Sequence, residues 1–444
     1  MKFIFADSLD VVDPNYDFIA DRNGPGRKVH WDDVYPHEIL GYAPYDGILV
    51  SRATVGDRGI KGKYTDAQAM RFQRLGARVF LRLDRPGLDH LAIFGDCGAF
   101  SYANEEKPPF TPEDTIEFYG HAGFTHGCSV DHIIFDHDPT VRGMDGGSDE
   151  ARRRFDLTLE NADAFLRASR TLSGRFTPMG VIQGWSPGSM AEAARRLVAM
   201  GYDYLAVGGM VPLQAEQIRH CLQEIRAAIP TNVRLHVLGF AKANDISSFV
   251  PYDITSFDTS SPLIRAFKDK KQNYYLPDGP GKLRYYTAVR VPQSLENLQL
   301  QRLVKKGVFR AEDLTRLERN ALALLRAYDR HEADLGDTLA AVLAYNAPLA
   351  VGRPYEDCRS DKAMQVLSQQ YSETLSDRPW KRCNCAICKD VSIEVIIFRA
   401  SNRNKRRGIH NLSVYKALID QLDSFPADLR NDSPDLFGRQ CAAE

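Results

Sequence analysis

Met179-Gly-Val-Ile-Gln-Gly184, then Ser189 to Met200, then Tyr204-Leu-Ala-Val-Gly-Gly-Met210 is the part of this chain that decides its fold. The outer pieces are short, nearly continuous apolar runs that read as buried strands. The middle piece is amphipathic with helical spacing and is closed by Gly201 as a C-cap. Outward from this unit, Ile48-Leu-Val-Ser, Leu91-Ala-Ile-Phe and His132-Ile-Ile-Phe read as strands before it, and Leu235-His-Val-Leu and Ile254-Thr-Ser-Phe after it. Helical patterns lie between them. Thr111-Pro-Glu-Asp supplies a cap, a proline at the first helical position and two early acids to a helix running on through Thr115 to His121; Ala151 to Leu172 and Gln214 to Ile229 follow. Strands buried on both faces and alternating with helices make a parallel sheet wrapped by helices. The number of units favours an α/β fold of the (β/α)8 TIM-barrel type over an open doubly wound sheet.

Around this catalytic barrel core (46–262) the first 45 residues read as an irregular or hairpin-rich lead-in. Residues 263–369 begin with a basic segment and continue into a helical insertion, with Ser294 to Lys306 amphipathic and Arg310 to Ala347 rich in Ala, Leu, Arg and Glu but broken by Gly336. A zinc-binding subdomain spans 370–424, with a helix expected from Ser413 to Leu422, and a loosely ordered tail fills 425–444. Apolar content of 43% and charged content of 26% are those of a soluble globular protein. No apolar run approaches a bilayer span, and Met1-Lys-Phe-Ile-Phe-Ala meets Asp7 without a signal-peptide core, so no membrane role is expected. Cys97, Cys128, Cys221, Cys358 and Cys441 are scattered rather than framed as disulfides, which points to the cytoplasm.

The remaining cysteines, Cys383-Asn-Cys385-Ala-Ile-Cys388, form one tight knuckle, with His410 further on. Three thiolates and one imidazole complete a tetrahedral zinc site with no position for water, so one structural zinc per chain is expected. Net charge is only −1, but the basic residues cluster. Arg265, Lys268, Lys270 and Lys271 lie in one run; Arg403, Lys405, Arg406 and Arg407 lie in another. Such runs are commonly solvated surface; two of them flanking one candidate site read better as a phosphate-binding face.

Strand C-terminal ends face the active site of such a barrel. Standing there are Asp96-Cys-Gly-Ala-Phe100, Phe135-Asp136-His137-Asp138, Gln183-Gly184, Gly208-Gly209-Met210 and Phe257-Asp258-Thr259. A single Asp after a strand is more often a helix cap. Three at strand ends form a polar pocket suited to chemistry at a glycosidic carbon, where one carboxylate is a nucleophile and another moves protons. Glutamine and aspartate can read the hydrogen-bonding edge of a base, and glycines let a flat ligand approach the backbone.

In order and in kind, these residues resemble the tRNA-guanine transglycosylases, zinc-bearing (β/α)8 enzymes that exchange guanine for a 7-deazaguanine. That family carries D-S-G-G-F-Q, F-D-E, Q-G, G-G-L, F-D followed by a proline, and C-x-C-x2-C with a distant H-N. This chain has Asp96-Cys-Gly-Ala-Phe100, Phe135-Asp136-His137, Gln183-Gly184, Gly208-Gly209-Met210, Phe257-Asp258 with Pro262, and the three cysteines with His410-Asn411. The resemblance implies that Asp258 is the nucleophile at C1′ and Asp96 the general acid/base. It further implies that Phe100, Asp136, Gln183, Gly208, Gly209 and Met210 bind the base.

The departures matter as much. The family's L-P-T-R after the nucleophile becomes Ser261-Pro262-Leu263-Ile264-Arg265; the glutamine after D-S-G-G-F becomes Ser101; a glutamate beyond G-G-L becomes Gln214. Losing that acid disfavours a cationic 7-substituent and suits a neutral nitrile. With the helical insertion, the chain is most similar to the DpdA-type DNA-guanine transglycosylases, which insert 7-cyano-7-deazaguanine (preQ0) into DNA. That resemblance implies DNA as partner, a helper ATPase of a modification cluster, and a homodimer. The same chemistry on tRNA, and a non-catalytic nucleic-acid-binding subunit of the family, stay open at this point; retention of both Asp96 and Asp258 counts against the latter.

Overall fold

The computed structural model describes residues 1–56, 60–172, 174–240 and 243–423; the expected tail lies outside them. Eight parallel strands close into a barrel in chain order: β1 (Lys2–Ala6), β2 (Gly47–Ser51), β3 (Ala92–Asp96), β4 (His126–Cys128), β5 (Thr177–Ile182), β6 (Tyr204–Val207), β7 (Arg234–Val237) and β8 (Ser256–Thr259). Closure comes from β1, which sets Ile4 against Gly47 on one side and Phe3 against Phe257 on the other. The (β/α)8 expectation holds.

Two strands differ from the sequence reading. The run His132-Ile-Ile-Phe is not a strand; β4 is His126–Cys128, and the apolar run lies in the connection that follows it. With Gly127 at its centre, β4 carries too little apolar character to be seen, whereas Ile133 and Ile134 are apolar because their connection is itself buried. The expected lead-in opens with β1, whose Phe3, Ile4 and Phe5 are buried. Three consecutive buried residues give no alternation to distinguish them from an apolar loop.

The helices form where their caps and periodicity put them. Thr111 accepts from the Asp114 N–H and opens the helix Pro112–Ala122, and Ser148 does the same for Asp149–Ser169. Pro187–Met200 ends on Gly201 in the left-handed conformation. The period-2 alternation of the strands then sorts side chains between two sides of the wall. Ile4, Leu49, Phe94, Cys128, Met179, Val181, Tyr204 and Ala206 pack together as one apolar cluster, whereas Phe257, of the opposite phase, stacks on Phe3 at 5.7 Å.

Residues Met1–Leu9 and Tyr45–Ser260 contain this barrel; Asp10–Pro44 and Ser261–Ala417 form a second compact unit. The second unit contains an antiparallel hairpin, Tyr274–Pro277 with Leu283–Tyr286, and the helices Ala311–Asp329, Leu335–Ala350 and Lys362–Asp377. Its core is a single cluster including Tyr274, Leu325, Val342, Tyr371, Trp380 and Ile396, so the helical block and the cysteine segment share one interior. The break in the helical block falls before Gly336: His331 takes a left-handed φ of 64° and Asp334 caps the next helix, which contains Gly336 in its first turn. The helix expected from Ser413 is the second half of a longer one, Ser401–Asp423. Among the described residues, no helix is long and apolar enough to cross a membrane.

Candidate active site

Continuing the inward phase of each strand upward by two residues reaches the candidate site. Leu49 leads to Ser51, Phe94 to Asp96, Val181 to Gln183, Ala206 to Gly208, and Ser256 to Asp258. All five of the residues reached line one cavity of about 230 Å³, together with Asp7, Ser8, Phe100, Asp131, Gly209, Val211 and Gly239. The same alternation that builds the apolar barrel interior therefore aims these groups into the cavity.

Asp258 is almost fully buried. Its Oδ1 accepts from the Gly239 N–H at 2.9 Å and pairs with His236 Nε2 at 3.2 Å, and among the described residues no hydrogen bond reaches its Oδ2. One oxygen is pinned and the other is left for a ligand. The Asp96 carboxyl is pushed up to about 7 by burial, with the negative charges of Asp131 and Asp258 adding to it; the Gly98 N–H and Ser51 side chain act in the opposite direction. A carboxyl at that value holds a proton in half of the molecules at pH 7, which suits a group that gives and takes protons. Its neighbour Asp131 is also raised by burial, against the hydrogen bonds from Cys97 and Gln183.

Of the residues the sequence singled out, Asp96, Phe100, Gln183, Gly208, Gly209 and Asp258 come together here, while Asp136 and Met210 do not. Asp136 is exposed and accepts from Ser148 Oγ at 2.6 Å. The carboxylate that does stand beside Gln183 is Asp131, whose Oδ2 accepts from Gln183 Nε2 at 2.7 Å and whose Oδ1 accepts from Cys97 Sγ at 3.1 Å. The difference in placement follows from β4: the strand ends at Cys128, so the first acid beyond it is Asp131, and five further residues carry Asp136 away from the cavity. Met210 is buried outside the cavity wall, and Val211 lines it instead. Gly208 is needed for a reason other than ligand approach: a Cβ there would stand 2.5 Å from Gln183 Nε2. Phe100 is 57% exposed beside Phe135, which is 53% exposed, with ring centroids 6.2 Å apart. Two exposed aromatic faces at a small polar cavity are unusual in a monomeric surface and offer a stacking platform.

Sequence reasoning missed Asp7, Asp131 and Lys63, which line the cavity, and His236, which faces Asp258. Asp7 follows an apolar strand as Asp96 does, and would have been found had Phe3 to Phe5 been read as a strand. His236 carried a signal too, a lone polar residue inside Leu235-His-Val-Leu.

The second basic run is corrected by its burial. Arg403, Arg406 and Arg407 are 0%, 1% and 0% exposed. Arg403 binds Asp21 and Glu394, Arg406 binds Asn402 and the Asp13 carbonyl, and Arg407 binds the carbonyls of Ala266 and Val395. Positions 403, 406, 407 and 410 are the i, i+3, i+4, i+7 stripe of the helix Ser401–Asp423, so the basic run is that helix's inner face. Lys405 donates to the Val11 carbonyl at 3.2 Å. In the first run, Lys268, Lys270 and Lys271 are exposed and Arg265 is half-buried.

Cys383, Cys385, Cys388 and His410 present ligand atoms that all lie within 4.8 Å of one another. His410 Nδ1 is 3.4 to 3.5 Å from each of the three sulfurs, and Nε2 donates to the Tyr275 carbonyl at 2.8 Å. That bond fixes the tautomer with the Nδ1 lone pair facing the sulfurs, the arrangement a metal-binding imidazole requires. Hydrogen bonds from Cys385 and Cys388 pull the Cys383 thiol well below its ordinary value, and Tyr274 stacks on the His410 ring at 4.0 Å. The donor set fits a metal ion.

A closed barrel with a pinned carboxylate, a second carboxyl titrating near neutrality and a stacking platform fits an enzyme of the glycosyl-transferring class. No protein-family model matches the chain. It is 42% identical to a DNA-guanine transglycosylase of Salmonella montevideo over 416 residues, 93% of this chain and 95% of that protein. The chain belongs to the DNA-guanine transglycosylase family and is a pentosyltransferase.

Proposed function

We propose that this enzyme exchanges guanine in DNA for 7-cyano-7-deazaguanine through a covalent aspartyl–sugar intermediate. The observation that carries the mechanism is the pairing of Asp258, with Oδ1 pinned and Oδ2 unbonded among the described residues, with Asp96, whose carboxyl is raised to about 7, on one cavity. Asp258 Oδ2 attacks C1′, the C1′–N9 bond breaks, and its electron pair leaves on the base, which takes a proton from Asp96. The incoming base returns that proton to Asp96 as its own N9 attacks C1′ and Asp258 departs as a carboxylate. Two inversions give net retention, and no external oxidant or energy source enters the balance. Asp131 and Gln183 hold the purine edge and Phe100 stacks on it. The target nucleotide reaches so small a cavity only if it is flipped out of a duplex or is already single-stranded.

The choice of DNA rests on the Salmonella relative's activity. The choice of a neutral nitrile is supported by Gln214, which stands where the tRNA enzymes carry an acid. The Cys383/Cys385/Cys388/His410 set would hold zinc, which, with four protein ligands and no open position, would staple the segment rather than enter the reaction. Lys268, Lys270 and Lys271 would contact phosphates.

The test is an exchange assay with radiolabelled 7-cyano-7-deazaguanine and either DNA or bulk tRNA, with and without cell extract to supply an opening ATPase. Label in DNA, lost in Asp258→Ala together with any adduct resistant to denaturation, is the expected result. Label in tRNA alone would return the chain to tRNA chemistry.

A further inference from the structure

The barrel interior beneath the nucleophile contains polar groups that the mechanism above does not use. His236 on β7 is completely buried, as are Ser256 on β8 and, nearly so, Tyr204 on β6. His236 Nδ1 lies 2.6 Å from Ser256 Oγ, Ser256 Oγ lies 2.6 Å from the Tyr204 hydroxyl, and His236 Nε2 faces Asp258 Oδ1 at 3.2 Å. Four polar side chains from three adjacent strands thus form one continuous line that ends on the pinned oxygen of Asp258.

The direction of the hydrogen bonds follows from its ends. An ionised carboxylate can only accept, so Nε2 carries a proton and donates to Oδ1. In its single-proton form the imidazole then has an acceptor at Nδ1, to which the Ser256 hydroxyl donates. Ser256 Oγ in turn accepts from Tyr204, whose phenol burial pushes up to about 12 and so keeps its proton. Every bond in the line points toward the nucleophile. Burying three such polar side chains beside Ile4, Leu49, Phe94 and Val181 costs stability that an all-apolar layer would not.

We propose that His236 is a positioning residue for the nucleophile, oriented by Ser256 and Tyr204, which dedicates Oδ1 to binding and Oδ2 to attack and steadies the carboxylate as it departs. This rests on the reading of Asp258 as the nucleophile. During the first step Oδ1 becomes the carbonyl oxygen of the ester, and during the second it regains charge, so a donor fixed on Oδ1 lowers the barrier to release. A hydrogen bond to a charged group is worth ~10- to 100-fold in rate when it is made fully only as that charge develops.

The experiment follows single-turnover exchange of radiolabelled guanine into a guanine-containing single-stranded DNA oligonucleotide, with adduct mapping by peptide mass. His236→Leu should slow the step by ~10- to 100-fold with KM for the oligonucleotide within ~2-fold of wild type. His236→Gln, which places an N–H where Nε2 stood, should recover most of that loss. Ser256→Ala should slow exchange by a few-fold, roughly one neutral hydrogen bond, and serves as the probe should the leucine variant not fold. Undiminished rates in His236→Leu or Ser256→Ala, a glutamine variant as slow as the leucine one, or KM rising in step with the lost rate would each overturn the proposal. An adduct on any residue but Asp258 overturns the nucleophile assignment itself; an adduct on Asp258 formed at full rate by His236→Leu overturns only the role of His236.

Discussion

Asp96→Asn should cost the enzyme its proton transfer and make the folded protein more stable at alkaline pH. The carboxyl stands at about 7 in the folded chain against an ordinary 3.8, because burial and the negative Asp131 and Asp258 oppose its charge. A folded-state value above the unfolded one means that the folded protein holds a proton that the unfolded chain has released. Stability is therefore unaffected below about pH 4, falls as pH rises toward 7, and stays reduced above it. The difference, 7 − 3.8 = 3.2 units at 1.36 kcal/mol each, is about 4 kcal/mol. Asp96 faces the cavity and is not sealed from water, and solvent screening brings the figure to about 2–4 kcal/mol. Asparagine keeps the shape without the charge and removes this cost. Urea unfolding of wild type and variant at pH 4.5 and pH 8 measures the effect as a difference of differences, in which unrelated groups cancel. The gain should be large at pH 8 and mostly gone at pH 4.5. Equal gains at both pH values would show that Asp96 ionises normally and would remove the physical basis of its proposed acid/base role.

Three further perturbations separate structural from binding roles. Cys385→Ser, or prolonged chelation, should lose the metal and unfold the second unit together; a metal-free protein with an unchanged unfolding transition would show the cluster to be dispensable. Arg403→Ala removes one of two guanidiniums from each of Asp21 and Glu394, which keep Arg399 and Arg326, and should cost roughly 1.5–3 kcal/mol of stability while leaving the salt dependence of DNA binding unchanged, read by urea unfolding and by binding at several salt concentrations. Replacing Lys268, Lys270 and Lys271 with Gln should do the opposite, lowering the slope of log affinity against log salt by about 2–3 with stability within roughly 0.5 kcal/mol; an unchanged slope would make those lysines solvated surface.

The two basic runs show where sequence and structure part. In sequence they look alike, but only the first is exposed. The second is the inner stripe of a helix whose carboxylate and carbonyl partners come from residues as distant as Asp13, Phe18 and Asp21. A guanidinium can be buried when its donors are all met, and no local pattern says whether those acceptors will be there.

Local pattern was enough for much else. Apolar runs of strand length alternating with capped amphipathic helices determined the barrel, because period and caps are properties of neighbouring residues. The knuckle with its histidine determined a candidate metal site, because ligand chemistry is written in residue type and close spacing. Asp96, Gln183 and Asp258 were legible as candidates since each stands at or beside the C-terminal end of a strand in the inward phase. What the tertiary structure alone decided was register and partnership. It closed the barrel with Lys2–Ala6 and ended β4 at Cys128, so that Asp131 rather than Asp136 meets Gln183. It also set His236 under Asp258 from a strand 22 residues removed in register of sequence. Those choices depend on which residues meet across strands and through the interior, and contacts between distant residues leave no periodic trace in the chain.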